Sequence, residues 1–456
     1  MISRADQLDQ PRYRAVTLAN IDKHDCWSRL DPDLREAVEV VARVLPFRVN
    51  NYVIDELIDW ERVPDDPIFQ LTFPQRGMLD DAQFLEVRNL LRADAPKDKL
   101  DRAVNRIRLA LNPHPAGQLT HNVPHVDGEP VPGMQHKYRE TALFFPTHGQ
   151  TCHAYCTFCF RWAQFVGLED LKFANKEADQ LARYCRANPK LTDVLFTGGD
   201  PMIMKTKVFR RYIEPLLDVE SVRTIRIGTK SLGYWPQRFV TDPDADDMLR
   251  LFEDVAESGK HLALMGHFSH PVEFSTDVAR TAVRRIRSTG AVIRMQSPVI
   301  RHVNDDARVW ADLWRDGVAQ GCIPYYMFVE RDTGAKRYFE MPLVRCWNIF
   351  RNAYQQVSGL ARSVRGPSMS CFPGKCHILG VTNVAGQQAF CLEFLQAREP
   401  DLVRRPFFAK YDPHATWYDQ LRPLTDADRE FFIKPAPADA GVTDITIAGS
   451  SPRSNN

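Results

Sequence analysis

The sequence carries almost no net charge: 59 lysines and arginines stand against 58 aspartates and glutamates, a formal balance of +1. No basic block interrupts that balance, so the polyanion binding that clustered cations produce, to nucleic acid or to an anionic membrane surface, is not expected. Long apolar runs are also missing. No stretch approaches the ~18 to 20 apolar residues of a membrane span, and the opening "MISRADQLDQPRYRAV" lacks the apolar segment of a secretory signal. The expectation is a soluble, cytoplasmic protein. Cysteine is scarce, ten in 456 residues, and too unevenly spaced for the disulfide framework of a small secreted fold. In a reducing compartment a tight group of thiols points instead to metal binding or catalysis.

What the chain does contain is a change of pattern near residue 140. Residues 1–135 read as mainly helical: "DPDLREAVEVVARVLPF" after Asp31 and "DDAQFLEVRNLLRAD" after Asp80 place apolar residues at helical spacing behind acidic starts. Over 136–340 short apolar segments alternate with amphipathic ones. The strand candidates are "TALFFPT", "DVLFTG", "RTIRIG", "HLALMGH", "AVIRMQSP" and "IPYYMFVE", beginning every 30 to 50 residues, as parallel strands joined by crossover helices do. Between them, "STDVARTAVRRIRSTG" offers Ser275 or Thr276 as N-cap and Gly290 as C′ residue. Six such α/β units predict a full or partial parallel barrel or a doubly wound sheet, with the chemistry at the C-terminal ends of the strands. Residues 341–432 read as a smaller C-terminal region with one helix, a loop "RGPSMSCFPGKCH" and a strand "QQAFCLEFLQA". Residues 433–456 have the composition of a disordered tail.

Three of the ten cysteines fall in "THGQTCHAYCTFCFRWAQF", just after the first strand candidate. Cys152, Cys156 and Cys159 are spaced so that one short loop turns three thiolates toward a single point. Zinc normally takes four ligands, and only His148 or His153 is at hand as a fourth. Ordinary buried cysteines are the bland alternative. Three thiolates without a fourth fit a four-iron, four-sulfur cluster whose last iron is left open for a small molecule.

The Cys-x3-Cys-x-aromatic-Cys pattern, with Phe158 as the aromatic, resembles the signature of the radical S-adenosylmethionine superfamily. That resemblance implies a partial (β/α)6 barrel, a 4Fe–4S cluster on Cys152, Cys156 and Cys159, and S-adenosylmethionine chelating the open iron. Reductive cleavage of the cofactor then yields a 5′-deoxyadenosyl radical. "LFTGGDP" is similar to the Gly-Gly-Asp turn of the superfamily, in which Gly198 and Gly199 allow close backbone approach and Asp200 accepts from the cofactor's amino group. Within the superfamily, residues 50 to 410 resemble the lysine 2,3-aminomutase family through "IDWERVPDDPIFQ", "HKYRETALFF", "CTFCFRW", "IRIGTKSLGYWPQR", "LMGHFSHPVE", "MQSPVIRHVND" and "PYYMFVERD", in that order. The implied reaction moves an amino group between carbons 2 and 3 of an amino acid carried on pyridoxal 5′-phosphate.

Carried over residue by residue, the resemblance assigns Arg161 to the substrate's α-carboxylate, and His267 and Gln296 to the S-adenosylmethionine site. Lys137 and Tyr138 fall where the family holds the pyridoxal phosphate group, with lysine in place of arginine. Lys375, in "CFPGKC", occupies the region of the family's pyridoxal-bearing lysine, although the glycine run there is shortened to Pro373-Gly374. Phe328 stands where relatives show tyrosine. Lysine-specific members hold the distal ammonium with two aspartates. Counting from Pro324 without gaps puts Arg331 at the first, with Ser370 or Cys371 near the second, and a cation there suits a carboxylate rather than an ammonium. A shift of one residue puts Asp332 there and reverses that expectation.

Two enzymatic readings therefore stand side by side. One is a pyridoxal-dependent aminomutase on an amino acid other than lysine. The other is a radical enzyme of the same fold without pyridoxal phosphate, such as a dehydrogenase or epimerase. A non-catalytic iron–sulfur protein is a third. Cys371 and Cys376, with Cys346 or Cys391, match no cluster spacing and read as ordinary thiols. "CFPGKC" is not a phosphate loop, since the upstream glycine is missing and His377 stands where a hydroxyl is needed. Expected partners are an amino acid substrate, a reductant such as flavodoxin or ferredoxin, and a second copy of the chain, since the family forms homo-oligomers.

Overall fold

The computed structural model describes residues 12–112, 122–126, 128–167, 174–175 and 177–432; the tail expected at 433–456 lies outside them. In the N-terminal region both acidic helix starts are caps. Asp31 opens α1 (Pro32–Val44) by accepting from Leu34 N at 2.8 Å. Asp80 opens α2 (Asp81–Arg92) by accepting from Gln83 N at 2.8 Å, and Gln83 Oε1 accepts from Asp80 N at 3.3 Å. Together with α3 (Lys97–Leu111), these helices bury Val38, Val41, Phe84, Val87, Val104 and Ile107 in one cluster. Ala154, Phe158 and Trp162 of the cysteine segment belong to the same cluster, so the N-terminal region is built onto that loop.

Eleven strands form one sheet whose spatial order is their chain order. They are β1 (Met134–Tyr138), β2 (Thr141–Phe144), β3 (Asp193–Phe196), β4 (Thr224–Thr229), β5 (His261–His267), β6 (Val292–Val299), β7 (Ile323–Val329), β8 (Arg365–Ser370), β9 (Gly374–Val384), β10 (Gln387–Ala397) and β11 (Phe407–Lys410). β2 to β8 are parallel neighbours, and antiparallel partners extend both ends, β1 on β2 and β9 to β11 on β8. The crossovers carry α4 (Ala178–Ala187), α5 (Thr206–Leu217), α6 (Ala245–Glu257), α7 (Asp277–Ser288), α8 (Ala307–Ala319) and α9 (Leu343–Gln355). Thr276 caps α7, accepting from Ala279 N at 3.3 Å, and Gly290 follows the helix at φ +86°. The six parallel strands expected from the sequence are β2 to β7, which makes a partial (β/α)6 barrel.

A parallel sheet covered on both faces reads as continuous apolar strands. β4 and β6 alternate instead, whereas β5 is buried continuously from Leu262 to Gly266. In β4, Ile225, Ile227 and Thr229 are buried and Thr224, Arg226 and Gly228 are half-buried; in β6, Ile293, Met295, Ser297 and Val299 alternate with Val292, Arg294, Gln296 and Pro298. One face packs against the helices, and the other lines a polar lumen. Side chains span the lumen's open side: Lys137 of β1 donates to Cys371 O, and Arg398 donates to Asn122 Oδ1 at 2.6 Å.

One expectation is corrected. "RGPSMSCFPGKCH" is not a loop but β8, a turn over 371–373 and the start of β9, with Ser368 opposite His377, Met369 opposite Cys376 and Ser370 opposite Lys375. Proline and glycine mark turns locally, but pairing with β7 and β10 on either side overrides that signal. Lys375 is thereby on a strand.

The N-terminal region grips the barrel through Asn50, which is fully buried. Its Nδ2 donates to His153 O at 3.2 Å and Tyr234 O at 2.9 Å, and its Oδ1 accepts from Val53 N at 3.0 Å. Asn50→Ala strands three buried backbone groups, and a loss of about 2 kcal/mol or more is expected. Urea unfolding checks this, and an unchanged midpoint would mean that the grip contributes nothing.

Candidate active site

The cysteine loop follows β2 at the C-terminal end of the barrel, and the protein pins it almost residue by residue. Arg48 Nη1 donates to Thr151 Oγ1 at 2.8 Å and to Cys152 O at 3.4 Å; Tyr13 Oη donates to His153 O at 2.8 Å. Tyr155 N donates to Arg48 O at 2.8 Å, and Thr157 bonds Leu71 O through its N–H and Gln70 O through its hydroxyl, at 2.9 and 2.7 Å. Cys152, Cys156 and Cys159 lie within one another's fields. Burial pushes Cys156 up to about 11 and Cys159 up to about 12, and Cys152 well above its ordinary value, with neighbouring thiols adding to the rise at Cys152 and Cys159. Thiols so raised ionise only against a strong positive charge, which metal ions supply. Among the described residues no group of three His, Cys, Asp or Glu side chains surrounds a single ion position. The histidines considered as a fourth ligand each spend Nδ1 on the protein, His148 on Tyr212 Oη at 3.1 Å and His153 on Ser231 Oγ at 2.8 Å.

The Gly-Gly-Asp turn after β3 lies directly on this loop. A Cβ on Gly198, whose φ is +134°, would meet the Gln150 amide at 2.2 Å, and one on Gly199 would meet Thr151 O at 2.4 Å and Gly149 O at 2.7 Å. Asp200 N donates to Thr151 O at 2.7 Å. The Asp200 carboxylate is committed to the fold: Oδ1 accepts from Met202 N at 2.9 Å, while Oδ2 takes Thr229 Oγ1, Lys230 N, Ser231 N and Ser231 Oγ at 2.8 to 3.0 Å. Only Oδ1 keeps room for another donor. His267, opposite Gln296 in the ladder, shares Nε2 between Ser297 Oγ at 3.2 Å and Ser269 Oγ at 3.4 Å, and burial holds it neutral; Phe158 meets its ring edge-on at 5.5 Å.

Nothing in the sequence marked the neighbours that complete this end. Lys230 is buried, donates to Glu273 Oε2 at 2.8 Å and lies 4.5 Å over the Tyr234 ring, whose Oη is 3.9 Å from Cys156 Sγ. The quoted segment "IRIGTKSLGYWPQR" contained two of them without a motif to single them out.

Deeper in the lumen, Arg161 lies 4.1 Å over Phe145 and 5.0 Å from the Phe160 ring. Arg331 packs against Phe160 and Trp417, at 5.6 Å from each. The Nε of each arginine is buried without a hydrogen bond, and Arg331 meets Asp332 only at 3.8 Å. Burial, opposed by Cys159 and reinforced by Arg331, lowers Arg161 to about 9. Lys375 Nζ sits 4.1 Å from the centre of Tyr326 and 5.7 Å from Phe328. Burial first, then Arg226, Arg365 and Lys137, push it down to about 7. Lys137 lies 5.2 Å over Tyr138 and is also pushed down to about 7 by burial. Cys371 and Cys376 belong to the apolar core of the C-terminal strands and Cys346 to the barrel core, as three ordinary free thiols.

The three-cysteine loop and the Gly-Gly-Asp turn, which resemble the signature of the radical S-adenosylmethionine enzymes, thus lie against each other at the carboxyl end of the parallel strands. No protein-family model matches the chain. It is 31% identical over 391 residues, 86% of this chain and 91% of the other, to a putative L-lysine 2,3-aminomutase of Aquifex aeolicus. It is 28% identical over 272 residues to the L-lysine 2,3-aminomutase of Acetoanaerobium sticklandii, covering 59% and 62% of the two chains. The Escherichia coli L-lysine 2,3-aminomutase is 30% identical over 242 residues, 52% and 67%. Among solved structures, Streptococcus suis SuiB bound to S-adenosylmethionine aligns with a TM-score of 0.34 at 11% identity over 60% of this chain and 56% of its own. The chain belongs to the lysine 2,3-aminomutase family, whose members are radical isomerases.

With a pKa near 7, half of the Lys375 amine is free at neutral pH, whereas an exposed lysine near 10.5 is free to about one part in several thousand. Borohydride trapping of an aldehyde on Lys375 should therefore level off above about pH 8 and fall about tenfold per unit well below pH 7. A yield still climbing at pH 10 would place the amine in water.

Proposed function

We propose that the protein is a pyridoxal phosphate-dependent radical 2,3-aminomutase acting on an amino acid with a second carboxylate rather than on lysine. One observation carries the reading: an enclosed Lys375 amine over the Tyr326 ring lies in the same lumen as two arginines whose buried Nε groups have no hydrogen bond. When bound, the cluster and S-adenosylmethionine supply a hydrogen-abstracting radical, and pyridoxal phosphate supplies an aldehyde and an electron sink. Cys152, Cys156 and Cys159 hold the cluster. The Gly198–Gly199 turn, His267 and Gln296 bound the S-adenosylmethionine site, with Asp200 bracing the turn from behind and offering its one open lone pair. Lys375, as a free amine, is the attachment point for the aldehyde. Arg161 grips the α-carboxylate and Arg331 the distal one, each by a planar fork. Phe145, Phe160 and Trp417 cover the guanidinium faces and exclude water, which strengthens both contacts. Electrons come from a small reductant of the flavodoxin or ferredoxin type, and the working form is a homo-oligomer. Among the described residues no helix is long and apolar enough to cross a membrane.

A second reading, a radical enzyme of the same fold without pyridoxal phosphate, draws on two observations. Phe328 brings no hydroxyl to the Lys375 pocket, and the Lys137 ammonium is taken up by Cys371 O.

The deciding experiment is anaerobic reconstitution with pyridoxal phosphate followed by borohydride. An adduct on Lys375, together with 5′-deoxyadenosine formation that Cys156→Ala abolishes, is the expected result. Cofactor cleavage without an adduct would favour the second reading.

The specificity half is tested separately. Arg331→Ala should weaken kcat/KM for a dicarboxylic amino acid by about 10- to 100-fold, the loss of one charge-assisted contact, while cofactor cleavage persists. Unchanged turnover, or a preference for lysine in the wild type, would remove Arg331 from the substrate.

A further inference from the structure

The lumen holds more cations than the proposed reaction uses. At the N-terminal end of the barrel strands, away from the cysteines, β4 contributes Arg226, β6 contributes Arg294 and β8 opens with Arg365. Arg226 has a carboxylate: its Nε donates to Asp193 Oδ1 at 2.8 Å, its Nη2 bonds the other oxygen, and Thr141 Oγ1 donates to Asp193 at 2.9 Å. Arg294 and Arg365 have none. Arg365 lies 4.5 Å from the ring centres of both Tyr325 and Tyr326, and Arg294 lies 5.3 Å from that of Tyr325. Among the described residues neither arginine takes part in an ion pair. Tyr326 also carries Lys375, so an amine and a guanidinium touch one aromatic ring.

Like charges gathered in one partly enclosed layer repel unless an anion joins them. Paired guanidinium forks match a phosphate monoester, which accepts several directed bonds at once. The resemblance assigned the cofactor's phosphate to Lys137 and Tyr138, but Lys137 is a single point charge, half neutral at pH 7, and already donates to the Cys371 carbonyl.

We propose that Arg294 and Arg365, with Arg226 beside them, form the phosphate subsite of the barrel, taking the phosphate monoester of the aldehyde cofactor that meets Lys375, in place of Lys137 and Tyr138. This rests on the pyridoxal phosphate reading. A ligand held through its aldehyde at Lys375 then spans the Tyr326 ring to reach Arg365. The lysine at position 137 becomes a brace between β1 and the β8–β9 turn.

The test compares pyridoxal phosphate with pyridoxal, the same aldehyde without phosphate, by borohydride trapping on Lys375 of the reconstituted full chain. Wild type should be half-saturated at far lower concentrations of pyridoxal phosphate than of pyridoxal. Arg365→Gln and Arg294→Gln should each raise the half-saturating concentration of pyridoxal phosphate about 10- to 100-fold relative to that of pyridoxal; pyridoxal reports any change in the Lys375 amine that loss of Arg365 brings, and its continued trapping shows that the variants are folded. Arg365→Lys, keeping charge but losing the fork, should fall between. Lys137→Gln should leave the preference for the phosphorylated aldehyde in place. If Lys137→Gln abolishes that preference and the arginine variants retain it, the subsite is wrong while the cofactor reading stands. If wild type traps neither aldehyde, the cofactor reading fails and inorganic phosphate decides. Thermal protection by phosphate that Arg365→Gln removes keeps the anion site, and no protection overturns it.

Discussion

A buried carboxylate accepting five hydrogen bonds from two strand ends holds the catalytic end of this barrel together. Asp200 ties the turn after β3 to Thr229, Lys230 and Ser231 at the end of β4, and its own N–H supports Thr151 in the cysteine loop. Hydrogen bonds to a charged group contribute about 1.5–3 kcal/mol each, so the knot outweighs any single apolar contact nearby, although burial, the larger effect, still holds the carboxyl above its ordinary value. The two glycines before it follow from this constraint, because the backbone of the cysteine loop fills the space where a Cβ would stand. The geometry of the thiols thus depends on a residue outside the cysteine loop.

The opposite constraint governs the lumen, where positive charges outnumber the carboxylates, Asp193 on Arg226 and Asp332 beside Arg331. Lys137 and Lys375 both fall to about 7 and Arg161 to about 9, in each case with burial as the first cause. Such groups are held at a cost, and the fold meets it from outside, through the helix cores on the far face of every strand and the clamp of the N-terminal region. Any anion that enters is bound by groups already desolvated and oriented, so binding and stability are linked. Alternation along β4 and β6 is the local trace of that design: every second residue faces the lumen and is free to be charged.

Much of this was legible in one dimension. The six parallel strands, the acidic helix starts at Asp31 and Asp80, the cap at Thr276 and the position of the cysteines after the first barrel strand all follow from periodicity, the helix dipole and capping chemistry, which act within a few residues. Partners far apart in sequence were not legible. The Lys230–Glu273 pair spans 43 residues and Asn50 meets Tyr234 across 184; neither side chain belongs to a motif. β8 and the start of β9 were read as a loop because Gly366, Pro367, Pro373 and Gly374 punctuate the segment, and only pairing with strands on both sides reveals their role.

The distribution of cations also bears on what the lumen can accept. Arg161 and Arg331 flank Phe160 near the cysteines, and Arg294 and Arg365 surround Tyr325 away from them, with Lys375 on the neighbouring Tyr326. A lysine side chain brings a further positive charge into this enclosure and leaves both upper guanidiniums competing for one carboxylate. Under the proposed function a dicarboxylic amino acid supplies one carboxylate to each. In the proposed phosphate subsite an aldehyde cofactor joined to the central amine satisfies the lower pair by the same rule. Asp332, the residue that a shift of register substitutes for Arg331, lies beside it at 3.8 Å rather than replacing it. That pairing is too long for a hydrogen bond, so the buried Arg331 Nε stays without one, and in the proposed function it is left for a second carboxylate.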